Sequence, residues 1–319
     1  PDPVKQAGLH MKSATMHPAM IGQSPRRKED GRLVTGRGRF IDDIVVARLL
    51  HLVLSATVVR GDPDRRDALL RFAPTAILGP SLLVLAGFLD GRERIAVWVA
   101  ALAIDYFGPV LIRAGRGWQV AAEHFAERHG LIILIALGES MIAIGLGAGF
   151  ELSTGVLVAA ALGIVVVSAL WWLYFDVAAI IARGRLMQAR GLELHRLALH
   201  AYSYLHLPMV AGIVLFALGL KTTVDNVGEA LGTVPAVGLC VGAALYLLGH
   251  VAFRYRNVGT INRQRLILGV ALLAAVPLAT EVASLLALGI VTTLLWAMIG
   301  FETHQYGEAR TRLRREALG

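Results

Sequence analysis

The sequence predicts an all-α membrane protein, a polytopic bundle of about eight transmembrane helices behind a polar amino-terminal segment. Of its 319 residues, 56% are hydrophobic and only 17% are charged, and the mean hydropathy is +0.62. Soluble domains carry about 25% charged residues. Apolar runs of about twenty residues, enough for a helix to cross a hydrocarbon core of about 30 Å, recur along the chain. Membrane strands need only about ten residues of alternating pattern, so these runs indicate helices.

The first 43 residues differ from the rest. They are polar, rich in Pro, Gly and Arg, and contain no apolar run long enough to span a membrane. We therefore expect 1–43 to be a foreign or poorly ordered segment, separate from a transmembrane domain over 44–319. That domain opens with a weak half-span at 49–59.

Eight longer apolar spans follow in order. We predict them at 68–89, 94–113, 130–149, 155–182, 198–220, 233–253, 265–281 and 283–301. A tight turn near Glu281 separates the last two. The single cysteine, Cys240, lies inside an apolar run, so no intrachain disulfide can form.

Arginines alternate between the loops. They concentrate in 113–129, 183–197, 254–265 and the carboxyl-terminal tail, whereas 150–154, 221–232 and 281–283 contain one basic residue, Lys221. This positive-inside pattern predicts an inner-membrane protein with a cytoplasmic carboxyl terminus. The pattern also accounts for the net charge of +8, so nucleic-acid binding is not expected.

The span at 130–149 is apolar except at Glu139 and Ser140. Glu139 lies ten residues in, near the bilayer midplane, where a carboxyl is costly and by default functional. Small residues at 136, 140, 143 and 147 form a stripe typical of close helix packing. Glu139 borders this stripe, so we expect it to point into the bundle. The alternative is a structural carboxyl hydrogen-bonded across helices.

Asp105 lies within the second predicted span, four residues before Pro109. Proline cannot donate the helical hydrogen bond to the Asp105 carbonyl. The break could form a polar cavity or a proton path, or a packed kink whose carbonyl finds a neighbour.

The densest polar group lies in the fifth predicted span, with His200, Tyr204 and His206 as its site candidates, followed by Pro208. Pro208 removes the helical partner of the Tyr204 carbonyl. Histidines beside phenols in a membrane bundle could relay protons, or could hold helices together by hydrogen bonds.

Metal and cofactor signals are weak. His124, Glu127 and His129 have the spacing H-x-x-E-x-H, which differs from the zinc peptidase patterns, so an interfacial helix with solvated charges is favoured. No nucleotide fingerprint or nucleophile motif occurs. We expect no metal and no cofactor, and enzymatic activity is not the favoured interpretation.

Three segments together resemble the bacterial low temperature requirement A family of multi-spanning membrane proteins. They are HFAERHGLIILIALGES at 124–140, WWLYFD at 171–176 and AYSYLHLPMVAGIVL at 201–215. The resemblance covers about 48–310 and implies a part in growth in the cold. It also makes Asp176, otherwise the end of an aromatic belt, a site candidate. Family members are expected to have spans before position 48, which this sequence lacks.

The segment 21–44, IGQSPRRKEDGRLVTGRGRFIDDI, resembles the opening of the molybdenum-binding subunit of xanthine and aldehyde dehydrogenases. The catalytic remainder of that family is absent. We therefore expect a fragment, from fusion, rearrangement or a gene-model artefact, without molybdenum hydroxylase activity.

Three functions remain open. The first is a transporter or channel for a small solute, proton or cation, with Glu139 and the His200–His206 group lining the path. The second is a membrane-embedded enzyme or lipid-handling protein using the same side chains. The third is a structural membrane component. The expected partners are the lipid bilayer and a small solute or ion, and the oligomeric state stays open.

Overall fold

The structure, a computed structural model, describes residues 63–111, 120–148 and 153–318, which form helices and no strand. The predicted all-α class is confirmed. The segment 1–43 and the half-span at 49–59 lie outside the described residues. The site described below lies entirely within the unit Asp67–Gly319.

Eleven α-helices and one π-helix occur in the described ranges. They are α1 (Pro63–Ala86), α2 (Gly91–Leu111), α3 (Ala122–Ala148), α4 (Thr154–Phe175), α5 (Ala178–Gln188), α6 (Gly191–Arg196), the π-helix (Leu197–Tyr204), α7 (Leu205–Asp225), α8 (Thr233–Val258), α9 (Arg263–Ala274), α10 (Val276–Ala279) and α11 (Ser284–Leu318).

Five helical stretches of the described chain, 25 to 35 residues long, are long and apolar enough to cross a membrane. They are Ala122–Ala148, Thr154–Gln188, Gly191–Asp225, Thr233–Val258 and Ser284–Glu308. Each overlaps a predicted span and extends beyond it by several polar residues, since polar helix ends continue past the apolar run. The predicted count of eight is not confirmed.

The other three predicted spans correspond to shorter or more polar helices. In α1 the apolar stretch covers only Ile77–Ala86. The charged residues of α2 are three at its start and Asp105 within it. The span predicted at 265–281 divides into α9 and α10, of 12 and 4 residues. Pro277 lies at the start of α10, where proline is tolerated but cannot continue a preceding helix.

Glycines allow a close backbone contact between α7 and α8. A Cβ added at Gly212 would lie 2.7 Å from the Gly242 carbonyl oxygen, and one at Gly219 would lie 2.5 Å from the Leu239 nitrogen. Backbones this close exclude any side chain, the arrangement that small-residue spacings produce in membrane helices.

The small-residue stripe of α3 packs as predicted. Its four residues, at 136, 140, 143 and 147, are all buried. A Cβ at Gly147 would lie 2.5 Å from the Lys221 carbonyl oxygen of α7. The opposite face of α3 exposes large apolar side chains, as a lipid-facing surface does, among them Ile135, Ile142 and Leu146.

Candidate functional site

A cavity of about 230 Å³ lies where the end of α4, the start of α5, the end of α8, the start of α9 and the second half of α11 meet. We call this the arginine-rich end, because Arg254, Arg265 and Arg310 line the cavity. Two carboxylates, Asp176 and Glu302, also line it and are 9% and 5% exposed. The cavity wall therefore contains buried charges of both signs.

Arg265 and Glu302 form a paired contact across the cavity wall. The Nη2 of Arg265 donates to Oε2 of Glu302 at 2.9 Å, and its Nε donates to Oε1 at 3.0 Å. Such bidentate pairs fix the positions of both side chains. Asn262 supports the pair twice, because its side-chain oxygen caps the Arg265 amide at 3.1 Å and its Nδ2 donates to Glu302 at 2.8 Å.

His250 of α8 is held in one tautomer by the same arginine. The Nη1 of Arg265 lies 3.2 Å from Nδ1 of His250. A guanidinium only donates hydrogen bonds, so Nδ1 must accept and the imidazole proton resides on Nε2. His250 is 2% exposed, and within the described residues its Nε2 has no hydrogen-bond partner. It is therefore a buried donor without an acceptor.

Asp176 lies at the break between α4 and α5, where two turn residues interrupt the helix. Its carboxylate is paired with Arg310 and Arg314 of α11. The prediction of Asp176 as a site candidate was derived from the family resemblance, and the structure places it in the cavity wall.

His206 is at the centre of an aromatic cluster that adjoins the cavity. Its Nδ1 lies 3.2 Å from the Ala201 carbonyl oxygen, so Nδ1 donates and Nε2 accepts from the Tyr174 hydroxyl at 2.8 Å. The His206 ring stacks on Tyr202 at 5.3 Å between centroids. Tyr174 in turn contacts His250 at 5.9 Å between ring centroids, which connects the cluster to the cavity by ring contact.

A π-helix directly precedes the helix that contains His206. It begins at Leu197 and ends at Tyr204, and Pro208 follows within the first turn of α7. π-Helical turns are rare and frequently occur at functional sites. The carbonyl of Tyr204, which Pro208 deprives of a helical donor, accepts from the Tyr106 hydroxyl of α2 at 3.3 Å. The Tyr204 carbonyl therefore has a hydrogen-bond partner on α2.

His200 and Tyr204 lie apart from His206. Their rings stack on each other at 6.1 Å between centroids, and Tyr204 contacts Tyr106. His200 is exposed, Tyr204 is partly buried, and neither residue lines the cavity. The structure therefore separates the predicted His200–His206 group into two places.

The expectation that Glu139 points into the bundle is wrong. Glu139 is exposed on the outward face of α3, and its neighbour Ser140 is fully buried instead. The Ser140 hydroxyl has no hydrogen-bond partner among the described residues. Glu139 borders the small-residue stripe, but the helical turn directs its side chain to the other side.

Asp105 is also exposed, and its carboxylate packs directly over Gly79 of α1. A Cβ at Gly79 would overlap that carboxylate. Asp105 therefore does not line the cavity and belongs to the α1–α2 contact.

A metal site finds no support in the described ranges, which contain no group of three His, Cys, Asp or Glu able to hold an ion. His124 instead contacts Glu127 at 3.3 Å, and His129 turns inward to the Phe125 carbonyl at 2.8 Å.

The sequence patterns do not select Tyr174, Arg265, Asn257 or Glu302 as site residues. Glu302 directly follows the apolar run of the last span, and several arginines follow it in the tail. This pattern could have marked Glu302 as a site candidate. In the sequence, Arg265 is only one of several arginines in the 254–265 loop. Its role depends on contacts with α8 and α11, which are 15 and 37 residues away.

Comparison with known proteins identifies the relatives of the chain. The sequence model for "Bacterial low temperature requirement A protein (LtrA)" matches residues 29–300. The match begins inside the segment predicted as foreign. An uncharacterized protein of Rhizobium meliloti (strain 1021), RA0937, is 24% identical over 229 residues, covering 68% of this chain and 54% of that protein. The chain thus spans about half the length of this curated relative.

No solved structure matches the chain. The family match covers most of the sequence, and the described helices include five that are long and apolar enough to cross a membrane. The chain therefore belongs to the bacterial low temperature requirement A (LtrA) family and is a multi-pass integral membrane protein.

Proposed function

We propose that the protein is an inner-membrane transporter of a small solute and that the cavity at the arginine-rich end is its solute-binding site. The observation that carries this proposal is that buried polar groups without hydrogen-bond partners line the cavity. Charged side chains in membrane helices are costly and mark substrate or ion paths. Here they surround a cavity of about 230 Å³ instead of packing against each other completely.

Asn257 is the clearest sign of a ligand. Its Nδ2 donates to the Phe253 carbonyl at 2.8 Å, whereas its Oδ1 is buried without a partner in the described residues. A buried polar atom without a partner costs about 1–3 kcal/mol. An apolar side chain would avoid that cost, so the asparagine supports a role in binding rather than in stability.

The aromatic cluster around His206 extends the polar lining away from the cavity. Beyond it, the glycine contact between α7 and α8 brings the backbones together. A solute moving further would require these helices to shift against each other, as in alternating access. Protons or cations remain candidate substrates, with Glu139 as a separate candidate on the outward face.

A lipid-handling or enzymatic role is the competing proposal, because the cavity lies at helix ends where headgroups would be found. A structural role without substrate is the third. The family description connects the protein with growth at low temperature, and we propose that role here too. The arginine distribution supports a cytoplasmic carboxyl terminus, which would place the cavity at the cytoplasmic end.

The test compares Asn257→Leu with Asn226→Leu. Asn226 makes the same side-chain contact, to a carbonyl four residues earlier, but lies at the other end of the bundle. Purified proteins in proteoliposomes are assayed for saturable uptake of small organic acids, phosphate, amino acids and cations. We expect Asn257→Leu to abolish uptake while its thermal stability in detergent stays the same or rises, and Asn226→Leu to retain uptake.

Two outcomes would contradict the proposal. One is wild-type protein that is folded and correctly inserted but shows no saturable uptake of any of these solutes. The other is full uptake by Asn257→Leu. Product formation without uptake would favour the enzymatic alternative.

A further inference from the structure

We propose that the cavity at the arginine-rich end binds a small oxyanion, a carboxylate or phosphate group that also carries one hydroxyl or amino donor. This inference rests on the proposed function only in treating the cavity as a binding site. The ligand class follows from the charges, the unpaired donors and the local helix geometry.

The charge balance favours an anion. Both carboxylates in the wall are already neutralised, Asp176 by Arg310 and Arg314, and Glu302 by Arg265. A cation would therefore meet carboxylates that are engaged elsewhere. The third lining arginine, Arg254, is exposed and donates to the Thr260 hydroxyl at 3.1 Å. Within the described part of the chain no carboxylate is paired with it, so the wall retains one positive charge.

Buried polar atoms without a hydrogen-bond partner also favour an anion. Three of them donate, namely the Nε2–H of His250, the Nε–H of Arg310 and the indole N–H of Trp172. All three residues line the cavity, and none of these atoms has an acceptor in the described residues. A ligand that supplies several acceptor oxygens would satisfy them, which a cation cannot do.

One acceptor is also free, the Oδ1 of Asn257. An oxyanion made only of acceptors would leave it unpaired. A hydroxyl, an amino group or a protonated phosphate oxygen on the same ligand would donate to it. The ratio of three donors to one acceptor therefore favours a hydroxy acid, an amino acid or a phosphate over a simple carboxylate.

The start of α9 adds to this preference. Asn262, Gln264 and Arg265, at the cap and in the first turn of α9, line the cavity. The first turn of a helix carries a partial positive charge, which attracts anions, and of its N–H groups Asn262 caps that of Arg265. The cavity volume limits the ligand to a small molecule or one headgroup.

The same chemistry could belong to a free solute or to an anionic lipid headgroup. The experiment measures thermal stabilisation and equilibrium binding of glycolate and inorganic phosphate to protein in phosphatidylcholine nanodiscs. Chloride at matched ionic strength and ammonium serve as comparisons. A parallel set of nanodiscs contains phosphatidylglycerol.

Three variants report on the site. Arg254→Gln removes the unpaired charge, Trp172→Phe removes the indole N–H, and Arg263→Gln is the matched control, an exposed arginine nearby that does not line the cavity. We expect saturable binding of glycolate or phosphate. Arg254→Gln and Trp172→Phe should each weaken it about tenfold, the loss expected for one hydrogen bond to a charged group. Arg263→Gln should change it little.

Binding that phosphatidylglycerol suppresses identifies a headgroup site, and binding that it leaves unchanged identifies a free solute; both support the oxyanion. Saturation by ammonium alone, or equal binding by wild type, Arg254→Gln and Trp172→Phe, overturns the proposal. Oxyanion binding without uptake leaves this inference intact and removes the transport proposal. Saturable uptake of cations alone leaves the transport proposal intact and removes this inference.

Discussion

Arg265 and Glu302 join two helices that are distant in sequence, through hydrogen bonds of 2.9 and 3.0 Å between guanidinium and carboxylate. Their side chains are 12% and 6% exposed. Arg265 also reaches His250 and the Leu173 carbonyl, both at 3.2 Å. One arginine thus connects α4, α8, α9 and α11 at the cavity.

Arg265→Leu should destabilise the protein strongly. It leaves the buried Glu302 carboxylate without its cation, and breaking a buried pair in this way costs about 3–5 kcal/mol. The matched change Arg263→Leu, at an exposed position in the same turn, should cost little. Thermal unfolding in detergent, followed by tryptophan fluorescence, measures both. Equal melting temperatures for the two variants would show that the pair contributes nothing to stability.

Tyr174→Phe should lower stability by about 1–3 kcal/mol, because it leaves Nε2 of the buried His206 without a donor. Tyr255→Phe, at an exposed position on α8, is the control and should have almost no effect. The same unfolding assay applies. If Tyr174→Phe were as stable as wild type, the hydrogen bond between Tyr174 and His206 would not be important for folding.

Gly242→Ala should destabilise by about 1–3 kcal/mol, the usual cost of overpacking. Its Cβ would collide with the backbone of Phe216, which cannot move independently of α7. At Gly145 an added Cβ meets nothing within 4 Å, so Gly145→Ala should be neutral or gain up to about 1 kcal/mol from helix propensity. Detergent unfolding midpoints distinguish the two, and a loss at Gly145 equal to that at Gly242 would refute the close-contact argument.

Glu139→Leu should fold at least as stably as wild type, because the exposed carboxylate has no described partner to lose. Cold growth of a deletion strain complemented with each variant then tests function. If Glu139 handles protons or cations, Gln and Leu should both fail to support growth although both proteins are folded. An active Gln variant would end the ion-handling proposal for this residue.

The arginine distribution predicts opposite sides for two reporters. A reporter fused after Gly319 should be cytoplasmic, and one inserted near Asp225, at the end of α7, should be periplasmic. Alkaline phosphatase and green fluorescent protein fusions read the two sides. Finding both positions on the same side would refute the predicted orientation and the placement of the cavity at the cytoplasmic end.

The sequence alone determined the fold class and the five long spans, because the apolar length needed to cross a bilayer is a local property. It also determined the packing face of α3, since small residues recurring with the helical repeat mark one side whatever lies opposite. The division of 265–281 into two helices could not be predicted from hydropathy, because the run stays apolar through Pro277.

Only the tertiary structure decided which polar residues meet. Glu139 and Ser140 are adjacent in sequence, yet the rotation of α3 about its axis exposes the first and buries the second. Asp176 and Arg310 are 134 residues apart, and Arg265 and Glu302 are 37 residues apart. Their pairing depends on how the helices pack, for which local hydrophobic periodicity contains no information. The cavity and its unpaired donors arise from that packing.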